Sequence, residues 1–195
     1  FWAATAGTGL NLLDRAGGRA IRYLHDPADP ASIDKVEAIT QLVADHQGGV
    51  WIRHGDGRLE RLDPTTGVFT HFRNTPDDEH SLSHDHTTFV YEDRGGNVWV
   101  GTWDGLARWD PAASGFIRYR NQPYDPDSLS DNQPLTMVED RAGSLWIGTF
   151  GHGINRLDPG QLKFAHDRLD PQAPDGVQNN IVLGLLQDQQ GVIWI

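Results

Sequence analysis

Cysteine is missing from all 195 residues, which excludes disulfides, thiolate metal sites and cysteine nucleophiles. That absence is compatible with an extracytoplasmic location. Methionine occurs once, at Met137. No apolar run approaches the roughly 20 residues that a transmembrane helix requires. Positive charge is scarce: 16 Lys and Arg stand against 27 Asp and Glu, for a formal net charge of -11. A surface that tracks nucleic-acid phosphates is therefore not expected. Helical periodicity is lacking too; residues 38–44 come nearest and align better as a strand. The nucleophile-elbow, zincin, P-loop and dinucleotide fingerprints are all absent.

What is present is a repeat. Residues 138–158 read V-E-D-R-A-G-S-L-W-I-G-T-F-G-H-G-I-N-R-L-D, and residues 92–110 read E-D-R-G-G-N-V-W-V-G-T-W-D-G-L-A-R-W-D. Residues 44–63 carry the same pattern as A-D-H-Q-G-G-V-W-I-R-H-G-D-G-R-L-E-R-L-D. Trp2, Trp51, Trp99, Trp146 and Trp194 follow one another at intervals of 49, 48, 47 and 48 residues. Asp45, Asp93, Asp140 and Asp188 keep the same step. A period that regular defines a repeat architecture, with units at about 1–37, 38–86, 87–134 and 135–179 and a further start at 180–195. Both ends cut the repeat at the same place, so the chain is expected to be a fragment of a longer protein. Targeting and membrane segments are then expected outside it, and the open apolar faces are expected to make the fragment self-associate.

Each full unit reads as four strands; in the fourth unit they fall at 135–139, 144–149, 153–157 and 163–166. Asp-x-x-Gly forms the first turn, because Asp bonds the backbone ahead of it and Gly supplies positive φ. Asp-Pro closes the third strand, since Pro cannot donate to a ladder (Asp14-Arg15 departs from this). Polar loops at 25–35, 74–86, 121–134 and 167–179 link the units, two of them containing Ser-Leu-Ser. The expected fold is all-β: a β-propeller of four-stranded antiparallel blades, about four of them present. Val98, Trp99 and Val100 are apolar on both faces of their strand, as face-to-face stacking of blades requires. The tryptophan is accordingly a wedge between blades.

The period is long for WD repeats and near that of kelch, but Trp109-Asp110 is not repeated and the kelch-like Gly pair gives way to Ala142-Gly143. In sialidase Asp-boxes the Asp stands two residues before Gly, whereas here it stands three before. The sequence resembles the two-component regulator propeller repeat. Glu92-Asp93, Trp99, Gly101-Thr102, Gly105-Leu106, Arg108 and Asp110 carry the likeness in one unit. Glu139-Asp140, Trp146, Gly148-Thr149, Gly153-Ile154, Arg156 and Asp158 carry it in the next. Arg53-His54 departs where Gly-Thr is expected, as does Ala4-Thr5. The resemblance implies a seven-bladed propeller outside the inner membrane, serving as the ligand-sensing region of a dimeric signalling protein. Its output would be a histidine kinase or a diguanylate cyclase, and its ligand a small molecule or oligosaccharide.

The turns after the tryptophan strands, at residues 6–9, 54–57, 103–105 and 150–153, vary between units. Strand order puts them on one side with the interblade loops, so this face is the expected ligand surface. Trp103 and Phe150 are suited to stack on sugar rings, and His54, Asp56, Asp104 and His152 to bond hydroxyls. No catalytic residue, metal or cofactor is expected. His80, His84 and His86, in an acidic loop, have the types for a metal site but read better as a solvated loop. Glu92-Asp93 and Glu139-Asp140 resemble acid–base pairs, yet their fixed place before a turn makes them turn-formers. The competing class is a propeller enzyme, a glycosidase or a lyase of the streptogramin-cleaving type. It would need unit-specific residues near the axis, for which His152 and the His80–His86 group are the candidates.

Overall fold

The structure, a computed structural model, describes residues 1–5, 9–14, 17–35, 38–158, 160–167 and 180–195. The turn at 6–9 therefore lies outside it apart from Gly9, as do Arg15, Pro159 and the loop beyond Asp167 up to residue 179. No helix occurs among the described residues. The chain divides into two compact units, Phe1–Arg73 and Asn74–Ile195.

The first unit holds two antiparallel sheets. One comprises β1 (Trp2–Thr5), β2 (Gly9–Asp14) and β3 (Arg19–Tyr23); the other comprises β4 (Ile39–Ala44), β5 (Val50–His54), β6 (Leu59–Asp63) and β7 (Val68–Phe72). The second unit holds β8 (Thr87–Glu92), β9 (Val98–Thr102), β10 (Gly105–Asp110) and β11 (Gly115–Tyr119) in one sheet. Its next sheet is β12 (Pro134–Glu139), β13 (Leu145–Thr149), β14 (Ile154–Asp158) and β15 (Lys163–Asp167), followed by the pair β16 (Leu186–Gln187) and β17 (Ile193–Trp194). Every sheet is a meander whose spatial order is its sequence order.

The Asp-x-x-Gly turn works as one device. Asp45, Asp93, Asp140 and Asp188 each accept, through one carboxylate oxygen, the backbone N–H four residues ahead, at 2.7–2.9 Å. The other oxygen accepts the indole N–H of Trp51, Trp99, Trp146 or Trp194, at 2.8–2.9 Å. A single side chain thus closes the turn and orients the tryptophan of the following strand. Gly143, in this turn at φ 91°, takes the left-handed backbone that a Cβ disfavours. Arg61, Arg108 and Arg156 of the third strands lie 5.7–5.8 Å over the same rings. The motif Arg is therefore a partner of the Trp.

Packing joins neighbouring sheets within each unit. In the second unit one core takes Phe89, Trp99 and Leu106 from the first sheet and Met137, Leu145, Ile147, Leu157 and Phe164 from the next. Trp99 is fully buried there, as a wedge between blades should be. In the first unit Leu10, Val50, Ile52, Leu62 and Phe69 form the corresponding core. The first strands are the ones that approach each other, β1 against β4 and β8 against β12, so they are the inner strands of their blades. Each four-stranded sheet breaks register once in this inner strand, between Ile39 and Gln41, Thr87 and Phe89, or Pro134 and Thr136.

The interblade loops cover the outer edges. Ala31, His80 and Asp127 accept the backbone N–H of Phe69, Phe116 and Phe164 on the outermost strands, at 2.7–2.9 Å. This pairing blunts an edge that would otherwise be open. The Ser-Leu-Ser triplet explains the anchoring. Ser81 Oγ ties to Thr75 and Asp78, and Ser128 Oγ to Gln122 and Asp125. Leu82 and Leu129 are fully buried plugs. Ser32-Ile33-Asp34 does the same in the first unit, with Asp in the third place.

Candidate functional site

In the second unit a threonine closes the turn after β9 and after β13. Thr102 Oγ1 donates to the Gly105 carbonyl (2.9 Å) and accepts the Asp104 N–H (3.1 Å). Thr149 Oγ1 donates to Gly153 (2.9 Å) and accepts from His152 (3.2 Å). The loops then bond the turns: Trp103 N–H donates to His86, Gly105 to Asn132 and Phe150 to Gln133, at 2.6–3.1 Å. Loops and turns therefore share one face, as strand order implies. On it Trp103 and Phe150 are each about half exposed, at 49% and 51%.

Polar groups stand beside both rings. The Trp103 ring centre lies 4.0 Å from that of His86 and 5.8 Å from that of His84. Asp104 pairs with Arg120 at 2.6 Å. His152 Nδ1 lies 3.2 Å from Asp131 Oδ2, which also accepts the Gly151 N–H. Asp131 was not singled out from sequence; its place in a loop opposite a turn 20 residues away is a tertiary fact. His84 and His86 serve this face as ring neighbours of Trp103. His80 is exposed beside Glu79.

His54 and Asp56 belong to the first unit. Asp56 is exposed and binds Arg58 at 2.7 Å. Burial opposes its ionisation, but the Arg58 N–H and guanidinium outweigh this and hold its carboxyl below the usual range. His54 differs from the expectation of a solvent-facing ligand residue. It is 1% exposed and turned under the turn, with Nε2 3.4 Å from Glu60 Oε2. It occupies the place of Thr102 and Thr149, whose side chains also point inward. A cavity of about 310 Å³ lined by Ala38, His54, Gly55, Asp56 and Arg58 opens beside it.

Behind His54 lies a cluster that the sequence reading missed. Donor atoms of Asp34, Glu60 and His71 all fall within 4.8 Å of one another. Glu60 is fully buried; its Oε1 accepts the Asp34 N–H at 3.0 Å and lies 3.2 Å from His71 Nδ1. Arg58 and Arg73 both bind Asp34 Oδ2. Burial opposes ionisation of Asp34, and His71, Arg73 and Arg58 together overcome it, keeping its carboxyl below the ordinary value. A signal existed in the departures from the repeat, at His54, at Glu60 and in Ser-Ile-Asp.

Four-stranded meanders repeated along a chain, with inner strands adjacent and loops sealing the outer edges, are blades of a β-propeller. The two component regulator propeller family model matches two stretches of the chain, residues 81–104 and 128–151. No curated protein matches the chain. Among solved structures, the chain is similar to the extracellular domain of a protein assigned as a hybrid two component system of B. thetaiotaomicron. The TM-score is 0.73 at 25% identity, over 99% of this chain and 25% of that one. A catalytically inactive virginiamycin B lyase of Staphylococcus aureus, solved with quinupristin, gives a TM-score of 0.59 at 13% identity, over 99% of this chain and 61% of that one. The chain thus spans a quarter of the first relative's length, and the second likeness concerns the fold alone.

Proposed function

We propose that this chain is part of the extracytoplasmic, ligand-sensing propeller of a membrane-anchored signalling protein. It acts without catalysis in this region. The observation that carries the reading is the loop-and-turn face of the second unit, where half-exposed Trp103 and Phe150 stand beside His86, Asp104, Asp131 and His152. An aromatic face flanked by carboxylates and imidazoles suits a carbohydrate, whose ring carbons stack while its hydroxyls are bonded. The likeness to an extracellular two-component domain supports the location and the sensing role. The whole protein would act as a homodimer with a kinase or cyclase output, and nucleic acid is not a partner at this net charge. The acid–base alternative is weakened by use: Asp93 and Asp140 are each committed to a turn and an indole.

The test is calorimetric titration of oligosaccharides into the protein, alongside the double variant Trp103→Ala, His152→Ala. The variant is expected to lose binding with an unchanged melting temperature, because exposed side chains contribute within about 0.5 kcal/mol to stability. Normal binding by the variant would overturn the site.

A further inference from the structure

We propose that Glu60, His71 and Asp34, with His54 against the other oxygen of Glu60, form a site for a divalent transition-metal ion in the first unit, of the kind Zn2+ occupies. His71 is anchored on one side by a backbone carbonyl. Its Nε2 lies 3.0 Å from the Pro30 carbonyl, which can only accept, so Nε2 carries the hydrogen. In the neutral ring Nδ1 is then a lone pair, and it faces Glu60 Oε1 at 3.2 Å and Asp34 Oδ2 at 3.9 Å. Facing two carboxylates, Nδ1 requires a cation between itself and them: a proton, which makes His71 an imidazolium, or a metal ion. Histidine ligands of metals characteristically donate their other ring N–H to a carbonyl in this way.

A second, separate observation comes from His54. It is 1% exposed, and among the described residues neither of its ring nitrogens makes a hydrogen bond. Glu60 Oε2, fully buried, makes none either, and His54 Nε2 is aimed at it from 3.4 Å. Donors bound to zinc at about 2.0–2.2 Å stand about 3.3 Å apart in a tetrahedron. The two imidazole-to-carboxylate distances, 3.2 and 3.4 Å, have that spacing. The guanidiniums of Arg58 and Arg73 go to Asp34 and Asp56, which leaves the buried Glu60 charge to the imidazoles. Mixed imidazole and carboxylate donors select a zinc-like ion over Ca2+ or Mg2+, which take oxygen alone. The cavity lined by His54 and Asp56 supplies an entry path.

The corresponding positions in the second unit show that the blade does not need His54, Glu60 or Asp34, whereas the place of His71 holds His166 in the last four-stranded sheet, with its Nε2 likewise on a carbonyl at 2.6 Å. There the place of His54 holds Thr102 or Thr149, that of Glu60 holds Ala107 or Asn155, and that of Asp34 holds Ser83 or Ser130. All six are buried, and hydrogen bonds join Ser83 Oγ to Thr102 Oγ1 at 2.7 Å and Asn155 to Ser130 at 2.8 Å.

The experiment treats the protein with a chelator and titrates Zn2+ alone, following heat of binding and melting temperature. One Zn2+ per chain is expected, with a melting temperature that rises with the logarithm of free Zn2+. Glu60→Asn and His54→Thr install residues that the second unit already folds with, and each is expected to abolish uptake while the metal-free protein melts as before. Absence of uptake, or uptake that survives Glu60→Asn, overturns the proposal. So does a melting temperature that responds to pH between 5 and 8 but not to Zn2+, which would mean that a proton bridges His71 and Glu60. Should the variants not fold, imidazole nitrogen shifts of the unaltered protein decide the matter. His54 and His71 signals are expected to move with Zn2+, and unmoved signals overturn the site.

Discussion

One triplet of positions is filled in two ways. In the first unit it holds His54, Glu60 and Asp34; in the second it holds Thr102, Ala107 and Ser83, and then Thr149, Asn155 and Ser130. The second unit meets the burial cost of polar groups with short neutral hydrogen bonds. Asn155 accepts the Ser130 N–H and donates to Ser130 Oγ, both at 2.8 Å. The first unit buries a carboxylate between imidazoles instead, next to Arg58 and Arg73. Blade geometry tolerates both, so the charged version is not a requirement of the fold. Buried ionisable groups that depart from their own repeat are where function is to be sought.

The largest expected effect comes from forcing the first unit's chemistry on the second. Ala107 is fully buried, so Ala107→Glu places a carboxylate there without imidazole partners. A loss of about 3–5 kcal/mol is expected in urea unfolding. Ala107→Gln serves as the size control and should lose less; equal losses would mean that volume, not charge, separates the two versions.

A smaller effect tests the neutral network. Asn155→Ala leaves the buried Ser130 N–H without its acceptor, at an expected cost of about 1–3 kcal/mol. Ala is native at the equivalent position 107, where Ser83 bonds Thr102 instead. An unchanged stability would show that Ser130 finds a similar substitute.

The smallest concerns the turn shared by both units. Burial opposes ionisation of Asp45, but its bond from Arg61, the Gly49 N–H, the Arg61 charge and the Trp51 indole outweigh it and hold the carboxyl below its ordinary value. A depressed folded value gives stability above the unfolded carboxylate value, near pH 4, and loses it as pH falls through the folded one. Asp45→Asn is therefore expected to cost about 1 kcal/mol at pH 7. The gap should close below about pH 4, and a gap that persists there would assign the effect to shape instead of charge.

Much of this was legible from particular residues. Asp93, Gly96, Trp99 and Thr102 lie within ten positions, and their bonds are local: Asp93 to Asn97 and to Trp99, Thr102 to Gly105. Such contacts recur wherever the letters recur, so the tryptophan spacing announces the blade. Trp103, Phe150 and the loop-side face followed from strand order, because an even number of strands returns the chain to the side it left. His54 resisted, since Gly55 and Asp56 beside it are exposed and nothing in His-Gly-Asp-Gly says which way the ring points.

By itself, then, the sequence determined the all-β repeat, the strands, the Asp–Trp turn and the face on which variable turns gather. Those features depend on neighbours a few residues apart and on alternation along single strands. It takes packing between distant segments to bring Asp34, Glu60 and His71 together, to bury His54 against Glu60, and to set Asp131 under His152. These pairs are separated by 6–37 residues and belong to different strands and loops. The residue types that meet are written in the chain, but their distances are set by how an interblade loop folds back over the edge and turn of the next sheet.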